Sequence, residues 1–204
     1  KVGTLQDAAS MGTDALAHVV AWYTNNEPAM APSELLGILE AEPVATIAHD
    51  TLKKTSFTVK SFDGTKIQCY QNKTPKGNKW NGKKHVAIVA HMLQSNHTSV
   101  LQYALLMMNA GYDVILFDQR QCGLSDRSLC TMGANESKDV GYIAKWVRAK
   151  YGNDVVLGLY GHSLGAATVC QYSSHDPNLA FLIEDCGYTS VKYLAKTIQK
   201  KFLP

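Results

Sequence analysis

The sequence lacks any long hydrophobic run. No stretch approaches the ~18 consecutive apolar residues that a transmembrane helix needs, and the residues nearest the start lack the apolar core of a signal peptide. We therefore expect no membrane span in this chain. Because the chain begins with Lys1 rather than methionine, the sequence is compatible with an anchor or signal upstream of Lys1. It therefore does not decide between a cytoplasmic and an extracytoplasmic location.

Cysteine pairs at metal-binding spacing are also absent. The five cysteines are an odd number, and no two of them form a Cys-x-x-Cys motif. The sequence therefore indicates neither a disulfide framework nor a zinc site. We expect mostly reduced thiols, no metal and no cofactor.

Positive charge is not concentrated in a binding patch. The net charge of +3 comes from lysines spread over the chain, which are densest in residues 72–84 among glycine, proline and asparagine. This stretch has few aromatic residues and no nucleic-acid-binding motif. We interpret it as a solvated loop and expect no nucleic-acid partner.

What is present is the composition of a globular domain, with 204 residues of which 46% are hydrophobic and 18% charged. Apolar residues at helical spacing predict two helices in a helical extension, residues 1–50, packed on the domain. The residues with this spacing are Leu16, Val19, Val20 and Tyr23, then Leu35, Leu36 and Leu39. Residues 51–204 are predicted to form the main domain, which begins with a hairpin that turns at Asp63-Gly64.

Strands and helices alternate after the hairpin. Apolar runs of strand length end near residues 91, 118, 161 and 185, and each is followed by helical periodicity. Strands that are apolar on both faces and separated by helices predict a mostly parallel sheet with helices on both faces. The predicted fold class is therefore α/β.

The third of these strands stops abruptly at the segment Gly161-His162-Ser163-Leu164-Gly165. Functional groups of parallel sheets collect at this carboxyl edge. Glycines on either side of Ser163 permit a strained strand-to-helix turn that exposes the hydroxyl, with the Leu164 N–H facing the same space. We predict Ser163 as a nucleophile and Leu164 as an oxyanion donor.

Two neighbouring loops contribute further candidates. In the loop after the first parallel strand, the N–H of Leu93 is the second expected oxyanion donor. In the loop after the second strand, Asp118 and Arg120 are expected to brace the loops by hydrogen bonds. Loop bracing is also the better interpretation of His91 and His97 than base catalysis.

Several segments resemble a known family. The segments "SFDGTKI", "GYDVILFDQRQCGLS", "GANESKD", "YGHSLGAATV" and "IEDCGYTS" are similar to the α/β-hydrolase superfamily, and within it to serine esterase-like members that are BEM46-like or related to the serine aminopeptidases. The likeness runs from about Thr55 to Pro204. It implies the α/β-hydrolase fold and a serine hydrolase that cleaves a carboxylic ester or related acyl bond of a small-molecule substrate through an acyl-enzyme.

The chain departs from the family pattern at two places. Family members carry His-Gly where this chain has His91-Met92, and Arg-Gly-His-Gly or Arg-Arg-His-Gly where it has Arg120-Gln121-Cys122-Gly123. A methionine in place of glycine narrows the loop that carries Leu93. The backbone path of this loop is therefore expected to differ from the family's.

No residue of the chain is predicted as the general base. His175, the one histidine beyond Ser163, lies about 18 Å along the following helix and is interpreted as a surface residue. His162 adjoins the nucleophile, but adjacent side chains diverge on such a turn. Asp185 is the alternative acid in a variant arrangement, whereas the resemblance implies an aspartate and a histidine after two later strands.

Those later strands are absent from the sequence. We therefore expect the chain to be the front part of a longer hydrolase, in which roughly another hundred residues complete the sheet. Residues 179–185 would otherwise form an exposed edge strand. Two alternatives to the esterase remain open, a serine peptidase of the same fold and a non-catalytic hydrolase-fold binding protein.

Overall fold

Alternating strands and helices assemble into one sheet with helices packed on it. The computed structural model describes residues 19–23, 54–74 and 79–202. The strands are β1 (Val19–Tyr23), β2 (Lys54–Lys60), β3 (Lys66–Asn72), β4 (Lys79–Trp80), β5 (Lys83–Ala90), β6 (Asp113–Phe117), β7 (Val156–His162) and β8 (Leu179–Asp185). The helices are α1 (Leu101–Asn109), α2 (Ala134–Tyr151), α3 (Leu164–Ser173) and α4 (Val191–Phe202), and a turn of 3₁₀-helix spans His97–Val100.

Parallel strands form the centre of the sheet in the order β6-β5-β7-β8. They are connected through α1, α2 and α3, so their carboxyl ends lie at one edge. On the β6 side the antiparallel β3 and β2 continue the sheet, and the predicted hairpin turn at Asp63-Gly64 joins them. This arrangement confirms the α/β prediction with a mostly parallel sheet.

Alternate residues of the central strands pack on opposite faces of the sheet. Val86 and Ile88 of β5 lie in a core with the buried face of α2, whereas Ala87 and Val89 lie in a core with α1 on the other side. All four side chains are fully buried, and burying one valine or isoleucine contributes about 1.5–3 kcal/mol. Helices therefore cover both faces, as predicted. Within the described ranges, every helix is too short or too polar to cross a bilayer.

Two expectations for the far edge of the sheet are wrong. Val19, Val20 and Tyr23 do not form a helix; they belong to β1, which pairs antiparallel with β8. Valine, tryptophan and tyrosine have high strand propensity. The same apolar run is compatible with a helix or a strand, and pairing with β8 selects the strand. Because β1 covers β8, residues 179–185 are not an exposed edge. The second predicted helix, with Leu35 to Leu39, lies outside the described residues.

Candidate active site

Ser163 occupies the turn between β7 and α3. Its backbone has φ 55° and ψ −112°, a conformation that residues with a side chain rarely adopt and that costs about 1–3 kcal/mol. The Ser163 N–H donates to the Asp185 carbonyl at 2.8 Å, and the Ser163 carbonyl accepts the Ala167 N–H at 3.1 Å. One bond ties the turn to β8 and the other ties it to the first turn of α3, so the strained backbone is held on both sides.

Two glycines make this turn sterically possible. A Cβ at Gly161 would lie 2.3 Å from the carbonyl oxygen of Gly165, and a Cβ at Gly165 would lie 2.3 Å from the carbonyl oxygen of Ala90. Both obstacles are backbone atoms inside packed elements and cannot rotate away. The spacing of Gly161 and Gly165 around Ser163 therefore reflects close contact of α3 with β7 and β5.

The residues predicted as oxyanion donors belong to the two segments that meet here, the start of α3 and the loop after β5. Leu164 opens α3, and the first N–H groups of a helix have no partner within it. Leu93 lies in the turn after β5, is 42% exposed and is followed by Gln94 with φ 54°. The start of this loop touches the strand-to-helix turn at residues 161–165, here called the elbow, because a Cβ at Gly165 would lie 2.7 Å from the His91 carbonyl oxygen.

His91 is held through both ring nitrogens. Its Nδ1 lies 2.6 Å from the Met92 carbonyl, and its Nε2 accepts the Gln119 N–H at 2.9 Å. The Gln119 side-chain amide donates back to the His91 carbonyl at 2.5 Å. These bonds assign a neutral ring with its proton on Nδ1, and burial lowers the His91 pKa. His91 therefore braces the loop, as predicted, and has no lone pair left for a substrate proton.

Asp118 ties three segments of the carboxyl edge together. Its carboxylate accepts the His97 N–H at 2.9 Å, His97 Nδ1 at 2.8 Å, the Leu124 N–H at 2.9 Å and the Tyr70 hydroxyl at 3.1 Å. Burial acts to raise the Asp118 pKa, but the hydrogen bonds from His97 and Leu124 outweigh it and hold the pKa at about 2. His97 also stacks on Tyr70. Asp118 and His97, both predicted to brace loops, therefore take structural roles.

Arg120 is the second brace, and it is 1% exposed. Its guanidinium forms a two-bond pair with Asp139 of α2, from Nε at 2.8 Å and from Nη2 at 2.7 Å, and Nη1 donates to Asp63 at 2.9 Å. The Arg120 hydrogen bond lowers the Asp63 pKa to about 2. Sequence reasoning missed both carboxylates as partners, because nothing in their spacing joins residues 63, 120 and 139.

Asp185, the predicted alternative acid, holds the histidine next to Ser163. Its Oδ2 lies 2.8 Å from His162 Nδ1 and accepts the Tyr160 hydroxyl at 2.7 Å. Tyr103 of α1 stacks on Tyr160, with ring centroids 4.5 Å apart. Burial acts to raise the Asp185 pKa, but the hydrogen bonds from Tyr160, His162 and Cys186 outweigh it and lower the pKa. Asp185 is therefore a carboxylate with three donors around it.

No described residue hydrogen-bonds the Ser163 hydroxyl. His162 turns its Nδ1 to Asp185, and His175 is exposed at the end of α3, where its ring lies 3.0 Å from the Gln171 carbonyl. Residues 54–74 and 79–202 thus provide the strained turn at Ser163 without a histidine bonded to its hydroxyl. They do bring one set of metal-ligating atoms together, those of His162, Asp185 and Cys186.

Comparisons with known proteins agree with this geometry. Residues 92–180 match the family model of the alpha/beta hydrolase fold. An uncharacterized protein of Bacillus subtilis, YqkD, is 26% identical over 146 residues, which are 69% of this chain and 45% of that protein.

Solved structures of esterases share the fold. The esterase Pf2001 of Pyrococcus furiosus superposes with a TM-score of 0.61 at 20% identity, covering 80% of this chain and 61% of the esterase. A thermostable carboxyl esterase from Bacillus coagulans gives a TM-score of 0.52 at 18% identity, covering 63% of this chain and 43% of the esterase. The chain thus spans about half the length of the proteins it matches. Sheet order and the turn at Ser163, together with the match over residues 92–180, show the α/β-hydrolase fold.

Proposed function

We propose that the protein is a serine hydrolase that cleaves carboxylic esters or related acyl bonds through an acyl-enzyme on Ser163. The backbone of Ser163, with φ 55° between β7 and α3, is the observation that carries this proposal. An ordinary surface serine has no need of a conformation that costs about 1–3 kcal/mol, and such strain collects at functional sites. Gly161 and Gly165 maintain it by letting the backbones touch.

The proposed reaction has two steps. The Ser163 hydroxyl attacks the substrate carbonyl carbon, the oxyanion accepts the N–H groups of Leu164 and Leu93, and the alcohol leaves. Water then attacks the acyl-enzyme, which releases the acid and restores Ser163. One oxyanion donor contributes about 2.7–4 kcal/mol to the transition state, so the two main-chain amides account for a large part of the acceleration.

The proton of Ser163 needs a base. In this fold a histidine held by a carboxylate follows the nucleophile in the chain order Ser, Asp or Glu, His, and we propose that the whole protein uses this order. The alternative with Asp185 as the acid requires His162 as the base, because His162 is the histidine whose Nδ1 lies 2.8 Å from Asp185.

Turnover of p-nitrophenyl acetate by the full-length protein tests the proposal. We expect Ser163→Ala to reduce turnover by at least about 10³-fold, because the acyl-enzyme cannot form. Ser173→Ala is the matched control; its hydroxyl bonds the Cys170 carbonyl at the far end of α3, and turnover should stay at the wild-type level. An active Ser163→Ala protein would contradict the proposal, as would a folded wild-type protein without turnover.

A non-catalytic binding protein of the same fold is the second candidate. It is favoured by the commitment of His91, His97 and His162 to structural hydrogen bonds. A folded full-length protein that turns over neither p-nitrophenyl acetate nor an aminoacyl p-nitroanilide would support it. Turnover of the anilide in preference to the ester would instead assign the peptidase branch.

A further inference from the structure

Three side chains with different metal-binding atoms meet beside the Ser163 turn. His162 and Asp185 are the last residues of the neighbouring strands β7 and β8 and pair in register, and Cys186 follows directly. One ligand atom from each residue lies within 4.8 Å of the other two. Parallel strands hold their ends at a fixed spacing, so the backbone brings the three groups together.

The three groups are the nitrogen, oxygen and sulfur donors that Zn²⁺ accepts in proteins. Ligand atoms around a tetrahedral Zn²⁺ lie about 3.3–3.7 Å apart, as bond lengths of about 2.0–2.3 Å require. The distances in the structure span this range. His162 Nδ1 and Asp185 Oδ2 are 2.8 Å apart, and the ligand atoms of the three residues all lie within 4.8 Å of one another. Small side-chain rotations therefore suffice to close the ligands around an ion.

Charge also favours a divalent ion at this point. A carboxylate at Asp185 and a thiolate at Cys186 would neutralise two positive charges. A cysteine binds a metal ion as the thiolate.

The surroundings hold the ligands in place and leave access from solvent. The Tyr160 hydroxyl donates to the Asp185 carboxylate at 2.7 Å, the outer bond that typically orients a metal-binding carboxylate. Cys186 has φ 58° and is exposed, and the His162 side chain is 21% exposed. We propose that His162, Asp185 and Cys186 form a binding site for Zn²⁺ or a similar divalent transition metal, with a fourth position open to water.

Titration of the metal-free full-length protein with Co²⁺ tests this proposal. Co²⁺ takes the same tetrahedral geometry and, when bound by a thiolate, absorbs in the near ultraviolet through sulfur-to-cobalt charge transfer. We expect a saturable band at one Co²⁺ per chain that Zn²⁺ abolishes, because Zn²⁺ binds such sites more tightly. Tyr160→Phe should weaken the affinity by about 10- to 100-fold through the lost outer bond.

Ligand variants and a cysteine control locate the site. Cys186→Ser should abolish the band, and His162→Gln should weaken Co²⁺ binding by more than Tyr160→Phe does. Cys130→Ser, a half-buried cysteine outside the cluster, should leave the band unchanged. Absence of the band in the folded wild type, or its persistence in Cys186→Ser, would overturn the proposal.

The metal site and the proposed role of Ser163 as the nucleophile can be tested separately. The three ligands do not include Ser163, so Ser163→Ala should bind Co²⁺ with unchanged affinity. Loss of the band in Ser163→Ala would contradict a site built from His162, Asp185 and Cys186. Binding of Co²⁺ by a protein without esterase activity would overturn the hydrolase alone.

Discussion

Two charged residues at the end of β6 show how single side chains organise the carboxyl edge. Asp118 and Arg120 could be predicted as braces because polar groups directly after a buried strand need partners. Their partners could not be predicted, since Asp139 and Asp63 reach Arg120 through the path of the folded chain. The sequence thus indicates that a buried charged residue has a partner of opposite charge, but the identity of that partner is known only from the fold.

Arg120→Ala is expected to destabilise the protein by about 3–5 kcal/mol, because it leaves the Asp139 carboxylate buried without its cation. Unfolding in urea measures the change. Arg127→Ala, an exposed arginine of the same loop, is the control and should change the free energy of unfolding by less than about 0.5 kcal/mol. Equal stabilities of the two variants would show that the Arg120 pair contributes nothing.

Asp118 predicts a defined loss of stability in acid. Its pKa falls from the ordinary 3.8 to about 2 on folding, so its ionised form stabilises the fold by about 2 kcal/mol. This contribution is complete above about pH 4 and disappears as the pH falls through about 2. In urea unfolding, the stability difference between wild type and Asp118→Asn should therefore shrink by about 2 kcal/mol from pH 5 to pH 2. A constant difference would contradict the lowered pKa.

At the scale of secondary-structure elements, the parallel strands could be predicted because each is marked by a continuous apolar run in the sequence. The four predicted strands correspond to β5, β6, β7 and β8 with ends that differ by about two residues. β1 and β4 were missed for different reasons. An apolar run such as Val19–Tyr23 fits a helix or a strand until β8 is there to pair with it, and Lys79–Trp80 is too short to show a period.

Gly165→Ala tests the contact between α3 and β5. The new Cβ would meet the Ala90 carbonyl oxygen at 2.3 Å, so we expect the free energy of unfolding to fall by about 1–3 kcal/mol. Gly141→Ala is the matched helical control. Its Cβ would meet a Tyr172 ring carbon at 3.1 Å, and the gain of about 1 kcal/mol from alanine in a helix offsets this contact. A Gly165→Ala protein as stable as Gly141→Ala would contradict the close packing at the elbow.

At the scale of the whole molecule, the candidate site depends on the complete fold, because the loops after three strands come together only when the sheet has formed. The strand-to-helix turn at Ser163 could be predicted, since a strand, two glycines and a helix frame it within a few residues. The pairing of His162 with Asp185 was not, since it depends on the register of β7 with β8. The exposed position of Leu93, next to the turn at Gln94, likewise could not be predicted from its residue type.

The most direct test of Ser163 as the nucleophile is to react the folded full-length protein with a fluorophosphonate and map the modified residue by peptide mass spectrometry. The strained elbow predicts one adduct, on the peptide that contains Ser163, and no adduct in Ser163→Ala. Ser173→Ala should label like the wild type. Modification of a different serine, or a folded wild-type protein that stays unmodified, would contradict the assignment.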